Sequence, residues 1–448
     1  MSEADTSRSG TTLAAISGRT AREITTAIEA GIRDGELKPG AQLPTIRNLA
    51  SDTGVSPMTV ATAYRELRRR GLVSSAGRRG TRVSEQPPLP VNAAPFVPPG
   101  SRDLATGNPD PELLPSLVPA LASFAARPRA HPFVSKLDRL VELAEAGFAA
   151  DGIPTPALAV VGGALDGVER VLTAQLVTGD TVVVEDPIFP RIVDLLRALG
   201  FVPAPVSVDD DGLKPGELER ALKAGAKALM LTPRWQNPFG ARLTDARVAE
   251  LRGVLDRFED VLVVEDDFAG LIAREPAYSV GAGRKRWATM RSVSKALGAD
   301  FRLAVMTGDP ATVARVEGRQ LLATGWVSHV LQELVANLWS DPDVQEAVAE
   351  TSTVYNSRRL LMLSELAERG ITAYGASGLN VWIPVAEEAP TVGGMLQRGW
   401  AITAGERWRQ RTGPAVRITI STLQQDEIAT VADDLAAVLD RRPGAFAS

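Results

Sequence analysis

The 448-residue sequence predicts an α/β body built on a mostly parallel sheet, a smaller α+β domain at its carboxyl end, and a three-helix head in front. Three observations carry this reading. Apolar β-branched runs alternate with amphipathic segments between residues 157 and 294, the mark of crossover units over a doubly covered sheet. From about residue 350 the alternation gives way to one long helix, short strands and a closing helix. Residues 84–101, SEQPPLPVNAAPFVPPGS, hold six prolines and form a semi-rigid spacer. The expected boundaries are 13–83 for the head, 84–101 for the linker and 102–448 for the body, whose small subdomain covers about 350–448.

In the head, Ile24, Ile28 and Ile32 recur every fourth residue and mark the buried face of a first helix. GELKPG supplies a turn, Thr45 caps a second helix carrying Ile46, Leu49 and Ala50, and Gly54 closes it. Ser56-Pro57 opens a third helix with a serine cap and a proline at the first helical position. Val60, Ala63, Tyr64 and Leu67 share one face of it, and Tyr64 and Leu67 are expected to be core. At ~100° per residue, Met58, Thr62, Arg65 and Arg69 fall on the opposite face. LVSSAGRRGTRV reads as a hairpin whose tip holds Arg78, Arg79 and Gly80. This is a helix-turn-helix with a wing: a recognition helix with its amino end towards base edges, and a basic tip within reach of phosphates or a minor groove.

Charge agrees with that assignment. Residues 1–85 carry 13 basic and 9 acidic side chains, whereas the whole chain has a net charge of -5. A basic head on an acidic body points to a nucleic-acid contact confined to the head. With 44% hydrophobic and 23% charged residues, whole-chain disorder is excluded. The absence of cysteine excludes disulfides, zinc-thiolate sites, iron–sulfur clusters and a cysteine nucleophile. Two histidines, His131 and His329, stand far apart, so no metal centre is expected. The start MSEADTSRSG has no secretion pattern, and no run approaches the ~18 apolar residues of a membrane helix. A cytoplasmic location without membrane contact is expected, nucleoid-associated when the chain is on DNA.

The body's strands are expected at 157–161, 181–185, 227–232, 261–265 and 288–294, with helices over 190–199 and 244–257. A helix over about 351–369, the strands LNVWIPV and AVRITIS, and a helix from Asp426 to Leu439 complete the chain. Several strand ends carry residues that suit one cofactor. Lys295 in RSVSKALGADFR offers an amine for a Schiff base with an aldehyde, while Ser292 and Arg302 hold a phosphate. Asp266, just past a buried strand, can pair with a pyridine nitrogen and keep it protonated. Asn237 in the Asn-Pro-x-Gly turn can donate to a phenolic oxygen, and Phe189 in EDPIFPR can stack on a ring. Backbone amides of Gly163 and Ala164 begin a helix where a phosphate can sit. Arg417 in AVRITIS can clamp an effector carboxylate with two parallel hydrogen bonds.

Two resemblances gather these motifs. ELKPGAQLPTIRNLASDTGVSPMTVATAYRELRRRGLVSSAGRRGTRV resembles the winged head of the GntR regulators along its whole length. That likeness implies DNA contacts by Arg47, Thr59, Thr62, Arg65 and Gly80, to which Ser56, Arg69, Arg78 and Arg79 are added as candidates. Residues 103–448 resemble the fold-type I aminotransferases, which implies pyridoxal 5'-phosphate as cofactor with Lys295 as its covalent anchor. Together the two resemble the MocR subfamily of GntR regulators, and NPFG with PAVRITISTL resembles its branch containing the pyridoxal-kinase regulator.

The chain also departs from the family pattern. Phe268 stands where a tyrosine is usual, and DFRLAV puts Asp300 and Ala304 at glycine positions. The phosphate loop reads Gly162-Gly163-Ala164-Leu165-Asp166 in place of Ser-Gly-Ala-Gln-Gln. A retained but weakened cofactor site and inefficient transamination are expected. The sequence therefore predicts a homodimeric regulator that binds double-stranded operator DNA and senses pyridoxal phosphate or an amine or amino-acid effector, with a role in vitamin or amino-acid metabolism. The alternatives are an active aminotransferase carrying a DNA-binding head, and a body that is only a dimer scaffold.

Overall fold

The computed structural model describes residues 16, 18–33, 36–69, 72–75, 80–84, 97–124 and 135–440. The Arg69 side chain, Arg78, Arg79 and His131 lie outside that description. The chain divides into two units, Met1–Ala93 and Ala94–Ser448.

The first unit holds α1 (Ala21–Arg33), α2 (Ile46–Thr53), α3 (Pro57–Arg69), β1 (Val73–Ser75) and β2 (Thr81–Val83). Thr45 caps α2 by accepting the Asn48 N–H, and Gly54 ends it in the left-handed region at φ 65°. Ile24, Ile28, Leu49, Val60, Ala63, Tyr64 and Leu67 form one core with Val73 and Val83 of the hairpin. Tyr64 is core, as its spacing implies, and its hydroxyl donates to the Pro44 carbonyl at 2.7 Å. β1 and β2 pair antiparallel with Ser74 opposite Arg82.

The second unit begins with β3 (Arg102–Asp103), α4 (Val118–Ala122), α5 (Asp138–Ala150), β4 (Leu158–Val161), α6 (Ala164–Gln175), β5 (Thr181–Asp186) and α7 (Pro190–Ala198). Next come β6 (Val202–Asp209), β7 (Gly212–Leu213), α8 (Pro215–Lys223), β8 (Ala228–Leu231), α9 (Asp245–Leu255), β9 (Leu262–Asp267), β10 (Trp287–Ser292) and α10 (Ser294–Leu297). They are followed by β11 (Ala304–Gly308), α11 (Pro310–Leu322), α12 (His329–Ser340) and α13 (Pro342–Glu368). The last elements are β12 (Asn380–Pro384), α14 (Glu388–Leu396), β13 (Trp400–Ala401), β14 (Thr403–Ala404), β15 (Ala415–Thr419) and α15 (Glu427–Leu439).

Among the described residues the large sheet has eight strands in the order β4-β11-β10-β9-β8-β5-β6-β7. β10, β9, β8, β5 and β6 run parallel, while β11 is antiparallel to both its neighbours and β7 to β6. Both faces are covered, which is why β8 and β9 are buried along their whole length. Val182, Val184, Met230, Val264 and Met290 pack towards α6 and α7, and Val183, Leu229, Leu231 and Val263 towards the opposite layer. The small sheet has the order β12-β15-β14.

Two features differ from the sequence reading. The long helix begins at Pro342 rather than near 351, because Asp341 caps it through the Asp343 and Val344 amides and proline suits its first turn. β3 pairs with β13, and Arg102 bonds Glu427 at 2.9 Å, so the body's first residues are built into its last.

Candidate functional site

Side chains of a strand alternate between faces, and this separates the two aspartates at the end of β9. Asp267 faces Arg234 and Arg291. It accepts from Arg234 Nε at 2.7 Å and Nη2 at 2.8 Å and from Arg291 Nε at 3.0 Å. Asp151 completes a buried network with Arg291 Nη2 at 2.6 Å and Arg234 Nη2 at 3.2 Å. Burial pushes the Asp267 carboxyl up, but the two guanidiniums outweigh it and hold it below the usual carboxylate range. Asp266 points the other way, and its Oδ1 is buried without a hydrogen-bond partner. Burial, and then the charge of Asp267, push it up to about 7.

Lys295 lies in α10, immediately after β10, and its Nζ donates to the Gly107 carbonyl at 3.0 Å. Burial, reinforced by repulsion from Arg417, brings its ammonium down to about 8. Arg417 is 1% exposed and stacks over Trp408, with Cζ 4.1 Å from the ring centroid. Its Nη1 donates to Asn237 Oδ1 at 3.0 Å, its Nη2 donates to the Ala105 carbonyl, and its Nε has no partner. Burial lowers its pKa to about 9, against the pull of Asp103.

Both terminal nitrogens of Arg417 are thus held by protein oxygens, and its cation is stacked on Trp408. Asn237 Oδ1 also accepts from Asn380 Nδ2 at 3.3 Å, which leaves its amide NH2 as the donor end. Phe189 caps α7 and packs against Trp408 at 5.9 Å. Asp186 holds the loop behind them through the amides of Gln410, Arg411 and Thr412 at 2.8–3.0 Å. Phe268, in the turn after β9, is half-buried against the core.

At the start of α6, Gly163 has φ 106°, and a Cβ there would lie 2.6 Å from Arg302 Nη2. The Arg302 guanidinium thus lies against a helix amino terminus. The Gly163 N–H closes back on the Val161 carbonyl at 2.9 Å rather than pointing out of the helix start, which leaves the amides from Ala164 onward as the donors of the first turn. Asp166 Oδ2 accepts from Gly162 N at 2.8 Å and Arg170 Nε at 2.9 Å. Ser292 Oγ accepts from the Ser294 amide at 3.2 Å and lies 3.0 Å from the Ser294 hydroxyl. Gly163→Ala is expected to weaken pyridoxal phosphate binding about tenfold, through strain at this φ and displacement of Arg302. Absorbance titration, with circular dichroism to verify the fold, measures this.

On the head, Arg47, Ser56, Thr62 and Arg65 are exposed and Thr59 is half-buried. Ser56 Oγ accepts the Thr59 amide at 3.1 Å and lies 2.9 Å from the Thr59 hydroxyl. The Ser56 hydroxyl therefore caps α3. Gly80 is in the left-handed region at φ 81°. Sequence reasoning missed Arg234, Arg291 and Asp151, whose pairing is long-range. It also missed Trp408 and the Gly107 carbonyl, which no local motif marks. Among the described residues no three metal-ligating side chains cluster, and no helix is long and apolar enough to cross a membrane.

Known proteins resemble both units. Residues 103–435 match the aminotransferase class I and II family, and residues 20–83 match the gntR family of bacterial regulatory proteins. A vitamin B6 salvage pathway transcriptional repressor, PtsJ, from Salmonella typhimurium is 38% identical across 95% of this chain and 100% of its own length. A pyridoxine biosynthesis transcriptional regulator, PdxR, from Corynebacterium glutamicum is 31% identical over 55% of this chain and 56% of its own. Among solved structures, the kynurenine aminotransferase of Pyrococcus horikoshii has a TM-score of 0.67 at 22% identity, over 75% of this chain and 90% of that one. A multiple substrate aminotransferase from Thermococcus profundus has a TM-score of 0.68 at 19% identity, over 78% and 92%. These structural likenesses establish the body's fold.

Proposed function

From a chain that belongs to the MocR subfamily of GntR regulators, a winged head joined to an aminotransferase-like body, we infer a DNA-binding transcriptional regulator whose operator affinity responds to chemistry at Lys295. The carrying observation is that one chain joins an exposed recognition face to a site holding a buried amine, a buried unpartnered carboxyl and, against a helix amino terminus, the guanidinium of Arg302. The residues fit pyridoxal 5'-phosphate. Asp266 Oδ1 lacks a partner and suits the pyridine nitrogen, while Arg302 and the first turn of α6 suit the phosphate. Phe189 and the Asn237 amide would hold its ring. Bound there, the cofactor supplies an aldehyde for amine exchange and an electron-withdrawing ring.

Lys295, lowered to about 8, offers a fraction of neutral amine near neutral pH. Arg417, a buried cation without a carboxylate, attracts the carboxylate of an amino-acid effector, which must displace the Ala105 carbonyl or Asn237 to engage it. That built-in competition favours sensing over turnover. Assays with amino-acid and keto-acid pairs separate the two, and substantial turnover would favour the aminotransferase reading. The B6 function named for the Salmonella relative supports a vitamin B6 role for this chain.

On the head, Arg65→Ala is expected to cost ~1–3 kcal/mol of operator affinity, by loss of a base contact, with no change in the cofactor spectrum. Fluorescence anisotropy with a selected duplex measures it, and parental affinity would remove Arg65 from the interface.

A homodimer fits the body's surface. Leu322 is 91% exposed, and Leu321, Val118, Leu121 and Val330 are also exposed, the last three on packed helices α4 and α12. Such apolar side chains suit an isologous interface. Leu121→Glu and Leu322→Glu together should shift sedimentation towards monomer. A dimer of parental stability would place the interface elsewhere.

A further inference from the structure

A cavity of about 820 Å³ lies within the body, lined in part by Trp235 of the loop that carries Asn237. Neither Lys295, Asp266 nor Arg417 lines it. Its size falls within the ~300–1,000 Å³ of small-molecule sites. One wall is Arg359, on α13, only 4% exposed. Arg359 Nη1 donates to the Gly375 carbonyl at 2.5 Å and Nη2 donates to Asn356, but its Nε is buried with no partner. Among the described residues no carboxylate forms an ion pair with it; Glu275, the nearby acid, accepts from Trp235 Nε1 at 3.2 Å. Burial, with repulsion from Arg242, lowers the Arg359 pKa against the pull of Glu275.

A buried guanidinium with an orphaned N–H and no counter-ion is costly to a folded chain unless something supplies the missing acceptor. The rim adds two more guanidiniums, Arg242 and Arg274, both exposed and neither in an ion pair among the described residues. Against these three cations stand two carboxylates, Glu275 and Asp210. The remaining lining includes the rings of Trp235 and Tyr374, with Tyr374 stacked on Phe239 at 4.6 Å. Cationic depth beside flat apolar walls specifies an anion with a ring or short apolar body.

We propose that this cavity is a second small-molecule site, separate from the Lys295 site, that takes an organic carboxylate with its anionic end on Arg359, Arg242 and Arg274. The site shares a wall with the cofactor site. Trp235, at φ 57°, is held by its N–H to Ser377 Oγ at 3.0 Å, and two residues on Asn237 bonds Arg417. This goes beyond the regulator reading and does not depend on it.

Calorimetric titration of the full chain, with pyridoxal phosphate already bound, tests the proposal using benzoate as probe and benzyl alcohol as its neutral counterpart. Benzoate should bind saturably and benzyl alcohol should not. The rim variant Arg242→Ala/Arg274→Ala, whose positions are exposed and safe for folding, should weaken benzoate about tenfold or more through loss of charge-assisted hydrogen bonds. Arg359→Lys, which keeps the charge but loses the Nε donor, should weaken it as well. Arg417→Lys should leave it unchanged. The proposal is overturned if benzoate gives no saturable binding, if benzyl alcohol binds equally, if the rim variant binds like the parent, or if affinity falls only in Arg417→Lys.

Discussion

Replacing Asp267 by asparagine is expected to destabilise the body by about 3–5 kcal/mol, because it leaves Arg234 and Arg291 buried with the negative charge of Asp151 alone. Both guanidiniums are 2% exposed, so water cannot take over the lost role. The neighbouring change Asp266→Asn should behave in the opposite way. Asp266 has no partner charge, and burial favours its protonated form. The folded chain therefore binds that proton more tightly than the unfolded chain, and cofactor-free stability falls as pH rises from the ordinary aspartate value of 3.8 through about 7. Asparagine removes this loss, so at pH 8 Asp266→Asn should unfold at higher denaturant than the parent. Urea unfolding of both variants decides the matter. Equal destabilisation would mean that both aspartates are structural.

The second large effect concerns Lys295. Lys295→Ala should abolish the absorbance band of covalently held pyridoxal phosphate. In the parent, the rate of cofactor loading should follow the neutral amine. With a pKa of about 8, the neutral fraction grows from about a tenth at pH 7 to about nine-tenths at pH 9, an increase of about tenfold. Stopped-flow absorbance across this range reads it directly. Arg417→Met removes the cation that assists burial in lowering the lysine, so the midpoint should move to higher pH. A flat rate profile from pH 7 to 9 would contradict the buried-amine assignment.

Much of this architecture is legible in the sequence because its signals are local. The capping of α2 and α3, the strand-end placement of Asp266 and Lys295, and the glycine at φ 106° each sit inside a few consecutive residues. What stays illegible is of three kinds. β6 contains Pro203 and Pro205 and reads as a loop, yet it pairs with β5 and, on its other side, with only the two residues of β7, where prolines are tolerated. The antiparallel β11 follows the lysine loop as five apolar or small residues, too short to signal itself. The partners of Asp267 come from segments 24 and 33 residues away, so only alternation along β9 distinguishes it from Asp266. The availability of Arg417 belongs to the same class, because its competitors Ala105 and Asn237 converge through the fold.

If chemistry at Lys295 governs the head, the two must be linked thermodynamically, since a ligand shifts only the equilibria whose states it binds unequally. The most direct measurement is the affinity of full-length protein for a duplex selected from a random pool, with and without pyridoxal phosphate, in the parent and in Lys295→Ala. Its reciprocal is a cofactor titration with and without that duplex. The regulator account predicts that cofactor changes duplex affinity in the parent by ~5–150-fold, that duplex changes cofactor affinity by the same factor, and that both effects vanish in Lys295→Ala. Equal duplex affinity in every cofactor state, with equal cofactor affinity in every DNA state, would contradict it and reduce the body to a scaffold.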